Sequence, residues 1–257
     1  MERRLYNTQQ NALSGNFDKN LIIQKTGSIE SFFKSNISIE GQTKLLMKKY
    51  AYNTGHLLGK GAYGEVYQGY IKSEDEHNGE PFAIKAMSMD IIRETGMKSE
   101  IKNEIKILQE IFKLKNPFFI KIMDCLETKT NFYIVTELCD RGCLRELMDE
   151  RVKNGTPFTE EQALEIVLQI ALGLHGLSVN TQNKIIIHRD IKPENIFCSE
   201  KFLKIGDFGC AKITMDDRFS TLYIGTRRYC APEFYNPNDA KSSKIDVWSL
   251  ACIFHEI

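Results

Sequence analysis

His188-Arg189-Asp190-Ile191-Lys192-Pro193-Glu194-Asn195 is the stretch on which the reading of this chain turns. Five of its positions, His188, Arg189, Asp190, Lys192 and Asn195, form an H-R-D-x-K-x-x-N pattern. At about one in twenty per fixed position, a chance match in a chain of this length is on the order of 10⁻⁴, so the pattern marks a built loop. Two shorter runs follow it in order, Asp207-Phe208-Gly209 and Ala231-Pro232-Glu233.

Upstream lies Gly59-Lys60-Gly61-Ala62-Tyr63-Gly64-Glu65-Val66. It sits between two strand-like segments rather than between a strand and a helix, which excludes a Rossmann or Walker phosphate site. Three fixed glycines alone are weak support, with roughly 0.07 chance windows per chain of this composition. The run Phe82-Ala83-Ile84-Lys85 adds to it: this is a strand whose lysine would be a single cation facing the cleft that the glycine turn covers. Read alone, Lys85 is an ordinary surface lysine.

Outward from these motifs, residues 52–87 are β-branched and aromatic, broken by glycines and by the acidic stretch 73–79, and predict three antiparallel strands. Residues 98–114 turn helical, with Ile101, Ile105, Leu108, Ile111 and Phe112 at three- and four-residue steps and Asn116-Pro117 as the stop. A second strand pair is expected over 119–126 and 132–138. Thr159 with Gln162 three residues on is a capping box opening a long helix through Ala163, Ile166, Val167, Ile170 and Leu174. Strands early and helices late make an α+β protein of two lobes. Its divisions are a loosely ordered extension over 1–50, with a helix near 43–50, a small lobe over 51–138 and a large lobe over 139–257.

Composition narrows the function classes. The chain has 257 residues, with 34 basic side chains against 34 acidic ones. Neutral balance without a basic block excludes affinity built mainly on nucleic-acid phosphates or anionic lipid, so neither partner is expected. No window approaches the ~18 apolar residues of a bilayer span, and the first twenty residues lack the apolar core of a secretory signal. The expected location is inside the cell, cytoplasmic or nuclear. Seven scattered cysteines form no C-x-x-C pair and read as reduced thiols; Cys210, beside a turn, would be a reactive thiol only if its environment favoured the thiolate. The extension carries eight basic and four acidic residues and reads as a solvated tail or a docking segment.

The H-R-D-x-K-x-x-N, D-F-G and A-P-E runs, with G-x-G-x-x-G-x-V before them, resemble the signature set of eukaryotic protein kinases of the serine/threonine type, over residues 52–257. The resemblance implies a small antiparallel β lobe with one helix and a large, mainly helical lobe. It also implies transfer of the γ-phosphate of ATP, with Mg²⁺, to Ser or Thr hydroxyls of protein substrates. Phosphoryl transfer asks for positioning and charge neutralisation. Gly59, Gly61 and Gly64 would let backbone N–H groups approach the phosphates, with Leu58, Lys60, Ala62 and Tyr63 around them. Lys85 would hold the α- and β-phosphates and pair with Glu104, or with Glu100 one turn earlier. Asp190 would orient or accept the proton of the attacking hydroxyl, and Lys192 would neutralise the transferred phosphoryl. Asn195 and Asp207 would ligate Mg²⁺.

By the same resemblance, adenine would lie between Val66 and Ala83 on one side and Phe197 on the other. It would hydrogen-bond the backbone of Glu137 and Cys139, with Thr136 behind it. Phe208, His188 and Leu108 would pack in an apolar stack. Arg189 would anchor a phosphorylated residue of the loop between Asp207 and Glu233, which holds Ser220, Thr221 and Tyr223; Thr221-Leu222-Tyr223 resembles the dual site of mitogen-activated kinases. An activating kinase or autophosphorylation would supply that phosphate.

Two positions depart from the family pattern. Cys143 stands where kinases that prefer basic substrates carry an acidic residue, leaving Glu194 for one basic contact. The last helix, beginning near Asp246, carries Val247, Trp248, Leu250, Ile253, Phe254 and Ile257 around it, so no side suits water, and no arginine follows Arg228 to pair with Glu233. On this reading the large lobe is incomplete. Two alternatives to an active kinase follow: a nucleotide-binding module that transfers phosphate poorly, or a docking protein, against which Lys85, Asp190 and Asp207 weigh.

Overall fold

The computed structural model describes residues 43–47, 49–61, 64–71, 79–94, 98–179, 184–215, 217, 225–236 and 238–257. These fall into two compact units, one holding 43–108 and 120–140, the other 109–119 and 141–257. The 1–42 part of the extension, Ala62, Tyr63, Ser220, Thr221 and Tyr223 lie outside the described residues.

The first unit is built on strands β1 (Thr43–Leu46), β2 (Tyr50–Gly61), β3 (Gly64–Ile71), β4 (Pro81–Ser88), β5 (Ile122–Glu127) and β6 (Asn131–Glu137). They form one six-stranded sheet, order β1-β2-β3-β4-β6-β5, antiparallel throughout. Side chains alternate across a strand. Phe82 and Ile84 of β4 are fully buried on one face, while Ala83 and Lys85 point to the other and are half-buried. The buried face is a tyrosine-rich core of Leu46, Tyr50, Tyr52, Tyr67, Phe82, Ile84, Tyr133 and Val135. Tyr50 meets Phe82 edge to face at 5.2 Å, a favoured aromatic geometry. The buried hydroxyls find partners, Tyr50 donating to Asp124 at 3.0 Å and Tyr52 to the Tyr133 hydroxyl at 3.4 Å.

Residues 43–50 correct one expectation. Instead of a helix they make β1, a turn with Met47 at φ 54°, and the start of β2, paired from Thr43↔Asn53 to Leu46↔Tyr50. Pairing takes Leu46 into the tyrosine core, and that tertiary burial overrides local helix propensity. A further correction is a helix not anticipated after β4, α1 (Met89–Glu94), which buries Met89 and Ile92, so this unit carries more than one helix. Helix α2 (Lys98–Leu114) forms as its period predicts; its residues through Leu108 belong to the first unit, with Glu104, Ile107 and Leu108 buried.

The end of α2 and residues up to Phe119 belong to the second unit, not to the first as a cut at 138/139 implies. The reason is backbone pairing: Ile205 N–H donates to Phe118 C=O at 2.8 Å, and Phe119 bridges Ile205 in parallel. Helix α3 (Leu144–Asn154) ends at Gly155 in the left-handed region. Helix α4 (Glu160–Ser178) opens at the capping box, Thr159 and Gln162 exchanging bonds of 3.3 and 3.2 Å, and buries Ile166, Ile170, Leu174 and Leu177. Strands β7 (Ile185–Ile187) and β10 (Lys212–Thr214) pair with each other, as do β8 (Ile196–Cys198) and β9 (Leu203–Ile205). Helix α5 (Lys244–Glu256) turns Ile245, Leu250 and Ile253 into the unit, while Val247, Trp248 and Phe254 remain about half exposed. Among the described residues no helix is long and apolar enough to cross a membrane.

Candidate active site

In the first unit the glycine run becomes a hairpin, with Gly59 opposite Val66, Lys60 opposite Glu65 and Gly61 opposite Gly64. Leu58 precedes it on β2 and is exposed. Gly64 is required by packing, because a Cβ there would lie 2.3 Å from the Ala86 carbonyl oxygen. Lys60 Nζ meets Glu65 Oε1 at 3.1 Å across the hairpin, and Tyr67 donates to the other carboxylate oxygen at 2.5 Å.

Next to the hairpin, Val66 faces Lys85 in register across β3 and β4, and Ala83 faces Thr136 across β4 and β6. Lys85 Nζ lies 3.5 Å from Glu104 Oε1 of α2. Glu104 is buried. Glu137 ends β6, its N–H donating to Lys121 C=O at 2.9 Å, and Cys139 follows, half-buried.

The second unit holds the other motif residues. Strand β7 delivers the chain to His188, and Pro193–Asn195 makes a single 3₁₀ turn before β8. Pairing of Ile196 with Ile205, extended by Gly206 N–H donating to Asn195 C=O at 3.0 Å, brings Asn195 and Asp207 to the same end of the β8–β9 hairpin. Asp190 is the centre of the cluster. Its Oδ1 accepts from Thr226 Oγ1 at 2.8 Å, and its Oδ2 lies 2.8 Å from Lys192 Nζ and 3.1 Å from Asn195 Nδ2. Lys192 also donates to Thr226 Oγ1 at 3.0 Å, and Asn195 Nδ2 to Asp190 C=O at 2.8 Å. Phe197 sits on β8, bridged to Cys143 at the start of α3.

The loop is held from behind by α5. Asp246 is 4% exposed, and its two oxygens accept His188 N–H at 2.7 Å and Arg189 N–H at 2.8 Å. The His188 ring nitrogens face Gly206 C=O at 3.0 Å and Asp190 N–H at 3.3 Å, which the Nε2–H tautomer satisfies. Arg189 adopts φ 66° and sends its guanidinium to the carbonyls of Cys210 at 2.6 Å and Ala211 at 3.4 Å. Phe208 is buried beside the His188 ring, 4.9 Å between centroids, and Phe119, 6.1 Å. Gly225, at φ 114°, passes close to the loop, and a Cβ on it would lie 2.4 Å from Arg189 C=O.

The electrostatics favour ions at both central groups. Burial works to raise the Asp190 carboxyl, but hydrogen bonds from Lys192 and Thr226, with the charge of Lys192, outweigh it and hold the group below the usual carboxylate range. Burial likewise opposes the Lys192 charge, and the Asp190 carboxylate outweighs it, so the ammonium is held above the ordinary lysine value. Cys210 goes the other way: burial, then the charges of Asp190 and Asp207, push its thiol up to about 11, which removes the reactive-thiolate reading. All seven cysteines are free thiols.

Three residues with structural roles here lay outside the sequence reading of the site: Asp246, Thr226 and Arg145, whose guanidinium reaches Tyr229 and Glu256 at 2.8 and 2.7 Å. Asp246 and Arg145 join partners 57 and 111 residues away, so no local spacing announces them. Thr226 had a signal, its place between the loop and Ala231-Pro232-Glu233.

The protein kinase domain family model matches residues 52–257. Among curated relatives, the serine/threonine protein kinase OSK3 of Oryza sativa subsp. indica is 32% identical over 207 residues, covering 80% of this chain and 38% of the relative. Serine/threonine-protein kinase unc-51 of Caenorhabditis elegans is 32% identical over 219 residues, covering 80% of this chain and 24% of that protein. Serine/threonine-protein kinase Nek5 of Mus musculus is 32% identical over 204 residues, covering 78% and 30% respectively. The chain thus spans less than half the length of each of these relatives. With the matched region carrying the glycine hairpin, the Lys85–Glu104 pair and the Asp190 loop, the chain belongs to the protein kinase domain family.

Proposed function

We propose that this protein is a serine/threonine kinase that transfers the γ-phosphate of ATP to Ser or Thr hydroxyls of protein substrates. The observation that carries the reading is Asp190, an ionised carboxylate fixed by Thr226, Lys192 and Asn195, with Lys192 placed to meet negative charge beside it.

Roles follow from chemistry. The backbone N–H groups of the glycine hairpin and the Lys85 ammonium suit ATP phosphates, and Glu104 keeps that ammonium directed. In the first unit Val66 and Ala83 offer apolar surface to adenine, and Cys139 offers backbone polar groups. Glu137 N–H is engaged with Lys121, so its contribution to adenine is its carbonyl. Asp190 Oδ1, which now accepts from the Thr226 hydroxyl, has the geometry to accept a substrate hydroxyl and orient its proton, a contribution of roughly 10² to 10⁴ in rate for a general base. Lys192 neutralises charge developing on the phosphoryl oxygens.

Asp207 is exposed at the hairpin end that also holds Asn195. One carboxylate and one amide oxygen suit Mg²⁺, a hard cation that keeps waters and shares phosphate oxygens rather than needing a closed protein cage. When bound, that ion neutralises phosphate charge. Arg189, Thr221 and Tyr223 remain the proposed regulatory group, with a phosphorylated loop residue as the switch.

The test is transfer of labelled γ-phosphate from Mg-ATP to a generic Ser/Thr protein, with the Asp190→Asn variant alongside. Transfer abolished in the variant upholds the reading. Equal transfer by both proteins, or none despite saturable ATP binding, rejects it. Mass mapping of active protein decides the regulatory part, which fails if the loop carries no phosphate.

A further inference from the structure

The charged side chains around Asp190 are unequally committed. Glu194, in the same loop, faces Arg145 at 3.4 Å. Glu256 takes Arg145 on one oxygen at 2.7 Å and Arg228 Nε on the other at 2.5 Å. Asp149 lies 3.7 Å from Arg145, and Lys192 is engaged by Asp190. Each of these acids therefore has a cation of this chain against it. Arg227 differs: it is exposed, and its guanidinium makes no hydrogen bond or ion pair among the described residues, Glu233 six positions on included. It directly follows Thr226, whose hydroxyl is 2.8 Å from Asp190.

We propose that the protein selects hydroxyls flanked by negatively charged residues, Asp, Glu or phosphorylated side chains, and that Arg227 is the residue that reads this charge. The inference rests on the kinase reading, because it needs an acceptor hydroxyl to come within hydrogen-bond reach of Asp190. An extended peptide advances about 3.3 Å per residue, so neighbours one to three positions from the acceptor lie roughly 3 to 10 Å from it. That is the reach of an arginine one residue from Thr226. A basic neighbour directed at Glu194, Asp149 or Glu256 would meet a carboxylate already occupied by Arg145 or Arg228, and would have to displace it. An acidic neighbour meets an unoccupied guanidinium fork, which binds carboxylate or phosphate in bidentate fashion.

The test uses three serine peptides identical except for flanking Glu, Ala or Arg. Each is assayed for kcat/KM and, with the serine replaced by alanine, for affinity by fluorescence anisotropy. Glu-flanked peptide is expected to exceed Ala-flanked by about fivefold to tenfold at low salt, the ratio shrinking as ionic strength rises. Arg227→Ala brings that ratio close to one, Arg227→Glu inverts it, and Arg227→Lys retains part of it. A wild type that favours the Arg-flanked peptide, or a Glu-to-Ala ratio unchanged in Arg227→Ala, overturns the inference. If no peptide is phosphorylated the kinase reading fails by itself. The anisotropy order then decides this inference separately: a Glu preference lost in Arg227→Ala upholds it, and equal binding overturns it.

Discussion

Replacing Asp246 by alanine should loosen the catalytic loop without touching any group proposed to contact substrate. The carboxylate is buried and accepts two backbone N–H groups, from His188 at 2.7 Å and Arg189 at 2.8 Å. Alanine leaves both donors unpaired, at about 1 to 3 kcal/mol each, or about 2 to 6 kcal/mol together. Part is returned, because burial pushes the Asp246 carboxyl up and the variant no longer holds a buried carboxylate. The expected net loss is about 2 to 4 kcal/mol, a large share of the roughly 5 to 15 kcal/mol that stabilises a domain. Arg189 also sits at φ 66°, a conformation that costs a non-glycine residue on the order of 1 kcal/mol and persists only while neighbours impose it. Its release should let the chain on either side of Asp190 relax. Asp246→Asn keeps one acceptor but turns an NH₂ group towards an N–H, so it should fall between the two. A carboxyl whose folded value is raised contributes stability below its unfolded value of about 3.9, and that contribution is lost as pH rises through the folded value; the asparagine protein should lack this limb. The assays are equilibrium denaturation in urea and native-state hydrogen exchange at the His188 and Arg189 amides. An alanine variant within about 1 kcal/mol of wild type, with both amides as protected as before, would refute the clamp.

Lys85→Met should lower kcat/KM for ATP by at least about a hundredfold, and Glu104→Gln by less, since it misplaces the ammonium without removing it; ATP titrations of steady-state rates check both, and equal effects would contradict the order. Because the Asp190 carboxyl is held low, its ionised form, and the stability it contributes, are present above an unfolded value of about 3.9 and lost only as pH falls through the lower folded value. Lys192→Met removes both a hydrogen bond and a charge from Asp190, so the acid limb of the kcat–pH profile should move to higher pH; an unmoved limb would assign it to another group. Gly64→Ala places a Cβ 2.3 Å from Ala86 C=O and 2.9 Å from Met87 Cγ, so it should cost about 1 to 3 kcal/mol in thermal denaturation and raise the KM for ATP.

Much of this architecture is legible because its signals are local. The helix at 98–114 follows from apolar residues at three- and four-residue steps, and α4 begins at Thr159 because its capping box is complete within four residues. The hairpin that carries Gly59, Gly61 and Gly64 is legible for the same reason, since glycine spacing and strand alternation act over a few positions. Residues 43–50 read as helix because nothing within them reports Tyr52, Tyr67 and Phe82, the surface that makes a strand there worthwhile.

The site divides along the same line. Asp190, Lys192 and Asn195 sit within six consecutive positions, and their mutual hydrogen bonds follow from one turn of chain, so the motif announces the cluster. What holds the cluster is remote. Asp246 meets the loop from 57 and 58 positions away, and Thr226 from 36, through contacts set by how α5 and the 225–230 segment pack. A carboxylate at the start of a helix ordinarily complements the helix dipole in solvent. Only the fold shows that this one is buried and spends both oxygens on His188 and Arg189. The chemistry of the reacting groups is thus written in neighbouring residues, while their rigidity depends on partners that pattern within a short window cannot identify.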